Sequence, residues 1–214
     1  MKGVLKVRYH QGVFGGNISF DYLKKKAPIT LAIIAINLTI FILINFLWGQ
    51  ERQLIQWGGM APIQFVLASG EYWRFFTSMF IHHGIIHVAF NMIILLHAGG
   101  YIEPYLGQRK FIAFYLLSGL LVSLCAGIFT NALSVGASGA VFALLGFLLY
   151  FDLQARKSGQ QTNSLILPLV ALNMIITLLV PNISFVGHFS GLVIGFLYAA
   201  LVQRSVVRSR RSEV

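Results

Sequence analysis

Acidic side chains are scarce in this sequence: Asp21, Glu51, Glu71, Glu103, Asp152 and Glu213 are the only six among 214 residues. Charge of either sign is thin, at 10% of the chain, against roughly 25% in a soluble globular protein. With 57% hydrophobic residues and a mean hydropathy of +0.77, that scarcity excludes a soluble domain and leaves an all-α polytopic membrane protein. Cysteine is nearly absent too. Cys125 stands alone in an apolar run, so no intrachain disulfide is available, and it reads as an inert core thiol.

What is present is basic charge, and it comes in blocks. The net charge of +10 is held mainly in Lys2 to Lys26, Arg109 with Lys110, Arg156 with Lys157, and Arg204 to Arg211, leaving only Arg52 and Arg74 elsewhere. Nucleic acid is not the implied partner. Basic clusters alternating with apolar stretches follow the positive-inside rule, and the partner is the lipid bilayer.

The uncharged stretches divide the chain. Residues 1–28 read as a cytosolic basic tail without a cleavable signal. Residues 29–203 hold six spans, at about 29–48, 84–102, 111–130, 136–151, 165–180 and 186–203, with a turn at Pro181-Asn182. Each approaches the ~20 residues a bilayer requires. Residues 204–214 form a second basic tail. An even number of spans puts both termini on the same side; every basic cluster then falls on that side, which reads as cytoplasmic, with Arg52 and Arg74 outside. The first external connection, Gly49 to about His83, is too broken to span and too apolar to float free. It is expected to dip into the headgroups on Trp48, Trp57, Tyr72 and Trp73.

Polar residues within the spans gather at one depth. Counting inward to Glu103, Asp152 and Arg204 at 1.5 Å per residue puts His87 ~24 Å, Asn91 ~18 Å, Ser138 ~21 Å and His188 ~24 Å above those markers. Gly187, Gly191, Gly195 and Ala199 recur every fourth position on the last span. Gly139, Ala143 and Gly146 share a face of the fourth. Small residues at that spacing let helices approach closely in lipid, which a short serine side chain needs in order to meet an imidazole on another helix.

A serine becomes a nucleophile when a base within reach takes its proton. Ser138 and His188 are the candidate pair. The carboxylates lie at the inner face, in the tails or in the external connection, so a Ser-His dyad is expected and not a triad. His87 and Asn91, at i and i+4, project side by side. With the Ser138 backbone N–H at the start of its helix, they could surround an oxyanion. The competing reading of His87 and Asn91 is a plain interhelical bridge. His83 and His87 have metal-ligand spacing, but no nearby carboxylate or cysteine completes a set. Neither metal nor cofactor is expected. His97 reads as a packing histidine and His10 as part of the tail.

Four motifs in order, Trp73-Arg74, His87-x-x-x-Asn91, Gly136-x-Ser138-Gly139 and His188-x-x-Gly191-x-x-x-Gly195, resemble those of the rhomboid intramembrane serine proteases. The resemblance spans Gly70 to about Ala200. It implies a six-helix bundle in which Ser138 attacks a peptide bond, His188 acts as base and then acid, and His87, Asn91 and the Ser138 amide hold the oxyanion. It implies a lipid-contacting structural role for Trp73 and Arg74 and a structural hydrogen-bonding role for Glu103. The substrates implied are transmembrane proteins, cut near the outer end of a helix. Many members of the family carry a tyrosine one turn after the serine, where this chain has Phe142. A rhomboid-like pseudoprotease that binds helices without cutting would typically lack the serine or the histidine. A transporter would show inverted repeats and paired intramembrane charges, and the sequence has neither. The expected location is a bacterial plasma membrane.

Overall fold

Helices account for every regular element in the computed structural model of the chain, which describes residues 19–160, 165–181 and 183–211. Residues 1–18 of the N-terminal tail, 212–214 of the C-terminal tail and Asn182 of the expected turn lie outside that description, as do the side chains of 47, 48 and 206–211.

The segment preceding the first span is partly helical. In α1 (Phe20–Lys26), Ser19 Oγ accepts from Tyr22 N at 3.2 Å, and Leu23 is buried. After Ala27 the chain enters α2 (Pro28–Ile42), with proline at the first position, where its missing N–H costs nothing. The last turn, Leu43–Trp48, widens to π-helical bonding. The expected external connection folds into three short helices, α3 (Glu51–Gly58), α4 (Ile63–Ser69) and α5 (Arg74–Thr77). Trp57, Tyr72 and Trp73 are exposed on it.

The longer helices follow: α6 (Gly84–Leu106), α7 (Gln108–Phe129), α8 (Ser138–Lys157), α9 (Ile166–Leu179) and α10 (Phe185–Arg211). Among the described residues five helices are long and apolar enough to cross a membrane, Pro28–Phe46, Gly84–Leu106, Gln108–Phe129, Ser138–Lys157 and Phe185–Ser205. The chain is a multi-pass integral membrane protein. The fifth expected span is the exception, since α9 has 14 residues and a rise of ~21 Å, short of a ~30 Å hydrocarbon layer.

Other boundaries move for local reasons. The fourth helix begins at Ser138, leaving Gly136 outside, and runs past Phe151 because Asp152 pairs with Arg156 one turn later, at 2.8 Å. The last helix runs on to Arg211, since arginines are good helix formers and favoured near a C-terminus. In α6, Pro104 falls in the final turn, where its missing N–H leaves the Gly100 carbonyl without its helical donor and the helix ends two residues later.

The bundle is built around α8. Every residue from Gly139 to Leu149 is buried, as expected of a helix apolar on all sides. Its most intimate neighbour is α10. A Cβ on Gly191 would strike Gly139 O, one on Gly195 the Ala143 backbone, and one on Gly146 the Leu192 carbonyl. Gly187 instead faces Ser184 and α7 Val122. Toward the other end, Phe114 stacks on Tyr198 at 4.4 Å and tilts against Phe147 at 5.6 Å, tying α7, α8 and α10 together.

Candidate active site

Ser138 is the first residue of α8 and is half-buried. The approach to it is held from outside the bundle. Met60, just past α3, forms an isolated antiparallel bridge with Ser134, with N–H···O distances of 2.8 and 2.9 Å. Gly136 N donates to Ser78 O at 2.8 Å, and Ala137 N donates to His82 Nε2 at 3.2 Å. Gly136 is required twice over. Its φ of +117° disfavours any side chain, and a Cβ there would stand 2.6 Å from His87 Cε1 and 2.7 Å from Nε2.

His188 lies in the first turn of α10. Its ring stacks on Phe142, centroids 4.0 Å apart and planes 13° from parallel. Phe142 is four residues after Ser138, so the imidazole rests over the opening turns of α8 on the serine's side of the interface. No hydrogen bond joins Ser138 Oγ to the imidazole among the described residues; in resting enzymes such contacts commonly tighten only when substrate binds. The imidazole Nδ1 is engaged instead by Thr177 Oγ1 of α9, at 2.7 Å.

His87 and Asn91 share a face of α6 that abuts Gly136. Asn91 is buried, and its Nδ2 has no hydrogen-bond partner among the described residues, although it comes within 3.7 Å of a Cβ position on Gly136. A buried donor without an acceptor is costly. Here it is aimed at the loop that delivers Ser138. A narrow cleft of about 20 Å³, room for about one water, is lined by Ser138 itself together with Ser78, Ser123, Ser134, Gly136 and Ser184.

Two functional candidates escaped the sequence. Thr177 sits in an apolar run with nothing to mark it. His82 sat beside His83, and the spacing of His83 to His87 drew attention to the wrong member of the pair. His83 is exposed and pairs with Glu51, which also accepts from Gly84 N at 2.8 Å and so caps α6. His82 is 1% exposed and lies against His87, ring centroids 5.1 Å apart. Burial, and then the neighbouring His87, push its pKa down to about 3, so it accepts the Ala137 amide as a neutral ring.

The remaining motif residues stand away from the serine. Arg74 is buried and donates to Gln56 O at 2.8 Å and Gly59 O at 2.7 Å while pairing with Glu71. Trp73 stacks on Trp57 at 5.7 Å and donates to its carbonyl at 3.2 Å. Glu103, fully buried, accepts from Ile29 N at 3.0 Å, and from Thr30 N and Oγ1 at 2.8 Å each, closing the open amides of α2. Gly139 leaves room for Val122 on one side and presents its carbonyl to Gly191 on the other.

Comparison with known proteins gives an independent view. A family model described as the Rhomboid domain matches residues 69–205. Rhomboid protease GluP of Bacillus subtilis (strain 168) is 35% identical over 178 residues, covering 82% of this chain and 35% of that protein. RHOMBOID-like protein 1 of Arabidopsis thaliana is 30% identical over 177 residues, 78% of this chain and 45% of that one. Rhomboid protease GlpG of Photorhabdus laumondii is 26% identical over 200 residues, 90% and 66%. The chain therefore spans about a third to two thirds of the length of these relatives.

Proposed function

The chain belongs to the rhomboid family, and from that premise we propose that it is an intramembrane serine endopeptidase working through a Ser138–His188 dyad. The observation that carries the reading is the Phe142–His188 stack, which fixes a histidine of α10 over the first turns of the helix that Ser138 opens. Two of these relatives, GluP and GlpG, are rhomboid proteases.

The steps follow from the groups present. His188 Nε2 takes the Ser138 Oγ proton as the oxygen bonds to the scissile carbonyl carbon. The resulting oxyanion is held by the Ser138 amide at the helix start and by His87 and Asn91. The C–N bond breaks as the imidazolium returns its proton to the leaving amine. Water, admitted through the hydroxyl-bordered cleft, then attacks the ester with His188 again as base, releasing the carboxyl product and free serine.

The substrate class is a transmembrane helix of another protein, cut near its outer end. Helical hydrogen bonding and the absence of water shield such a bond, so a segment weakened by glycine, proline or small polar residues is the preferred target. The basic blocks favour a cytoplasmic side for both termini, and the proposed location is a bacterial plasma membrane. Trp73, Arg74 and Glu103 serve the scaffold. Gly136, Gly139, Gly191 and Gly195 serve the close approach of the elements that carry the dyad.

The test needs no known substrate. Wild type, Ser138→Ala and His188→Ala, each shown monodisperse in mild detergent, are exposed to a fluorescent fluorophosphonate. Labelling of wild type alone is expected. Equal labelling of Ser138→Ala would put the nucleophile elsewhere, and an unlabelled, folded wild type would make the chain a binder of helices that does not cut them.

A further inference from the structure

Thr177 is a buried hydroxyl on α9, 4% exposed, with two contacts of equal length. Its Oγ1 lies 2.7 Å from the carbonyl oxygen of Asn173, one turn back, and 2.7 Å from Nδ1 of His188. A hydroxyl carries one proton and two lone pairs. A carbonyl oxygen only accepts, so two oxygens at that separation need the threonine proton between them. The contact to His188 must then use an Oγ1 lone pair, and a lone pair attracts Nδ1 only if Nδ1 bears hydrogen.

From this we infer that Thr177 is the positioning residue of the site, holding His188 in the Nδ1–H tautomer and leaving the Nε2 lone pair free toward Ser138. The relay runs from Nδ1–H to Thr177 Oγ1, and from the threonine O–H to the Asn173 carbonyl. It rests on the assignment of His188 as the base. A hydroxyl here does part of the work that a buried carboxylate does in a triad, which is to fix the ring's tautomer and its rotation in the plane. It does so without burying a negative charge, which at this depth would be expensive.

Two constraints then define the imidazole completely. Phe142 fixes the plane of the ring, and Thr177 fixes which edge faces away from the serine. Back-bonding of a threonine to the i−4 carbonyl is common in helices, but by itself it does not require an imidazole at the same oxygen.

The test compares wild type, Thr177→Val and Thr177→Ser in detergent by nitrogen NMR of histidine-labelled protein, with the His188 signals identified by their loss in His188→Gln. Wild type and Thr177→Ser are expected to show a protonated Nδ1 and an unprotonated Nε2, with Thr177→Val shifting toward the other tautomer. Fluorophosphonate labelling should fall about tenfold or more in Thr177→Val, return in Thr177→Ser, and do so at matched melting temperatures. An unchanged tautomer in Thr177→Val would overturn the inference, even with the dyad intact. A tautomer that switches with Thr177 in a wild type that does not label would uphold it while removing the protease reading.

Discussion

The aromatic face of Phe142 and the imidazole of His188 lie parallel within 13° at 4.0 Å. One ring belongs to the most deeply buried helix of the bundle and the other to its closest neighbour. The contact is therefore a direct gauge of how α8 and α10 are aligned, and it requires no hydroxyl on the α8 ring.

A first prediction tests that gauge. Phe142→Leu keeps an apolar side chain but loses the stack, worth about 0.5–1.5 kcal/mol, or roughly a 2- to 10-fold loss in fluorophosphonate labelling rate. Phe142→Tyr keeps the stack and should label at least as fast as wild type. Equal rates in all three proteins would mean that the stack does not orient the base.

Asn91 separates an oxyanion donor from an interhelical bridge. Its buried Nδ2 has no partner among the described residues, so Asn91→Ala should leave the melting temperature unchanged or raise it, because an unsatisfied buried group is removed. Turnover of a peptide substrate should fall about 100- to 1,000-fold, as for loss of one oxyanion donor. A fall in melting temperature that accompanies unimpaired turnover would assign Asn91 to the scaffold.

Much of this architecture was written in composition and spacing. The scarcity of charge and the small residues at every fourth position specify a membrane bundle with one unusually close pair of helices, and Gly191 and Gly195 do lie against the α8 backbone. The external connection was less legible. Its three short helices are held by side chain to carbonyl bonds such as those of Arg74, and an apolar-periodicity reading has no term for these. His82 and Thr177 were missed for a related reason. Each acts through one atom directed at a partner distant in sequence, Ala137 N and His188 Nδ1, and neither leaves a local pattern.

Arg74 couples the external helices to the loop that precedes Ser138. It holds the Gln56 and Gly59 carbonyls, and the next residue, Met60, pairs with Ser134. Arg74→Met leaves Glu71 and two carbonyls without their donor and should destabilise the fold by about 3 kcal/mol, the cost of breaking a buried ion pair. Hydrogen exchange should quicken at residues 56–60 and also at 134–137. Faster exchange confined to the first segment would show that the bridge does not transmit the change.

Close packing of α8 and α10 gives a steric prediction with a built-in control. Any side chain at position 195 meets the Ala143 backbone, so Gly195→Val must force the helices apart and should cost about 1–3 kcal/mol or more. Loss of labelling and of monodispersity is expected. Leu197→Val, on the exposed face of the same helix, should behave as wild type. Tolerance of Gly195→Val would mean that the helices are not in backbone contact at that level.

His82 makes the scaffold acid-sensitive in a defined window. Its pKa is lowered from 6.5 to about 3 on folding, so the native state favours the neutral ring and the unfolded chain takes up the proton first. The stability tied to this residue is complete above pH 6.5 and is lost as pH falls toward 3, by up to about 1.4 kcal/mol per pH unit. Protonation would also place a hydrogen on the Nε2 that accepts the Ala137 amide, so the failure should begin at the turn before Ser138. His82→Gln offers an amide oxygen to the same N–H and does not titrate. Its melting temperature should fall less steeply than that of wild type between pH 6.5 and pH 4, with the two curves converging in slope above pH 7. Parallel curves across the whole range would mean that His82 carries none of the acid sensitivity.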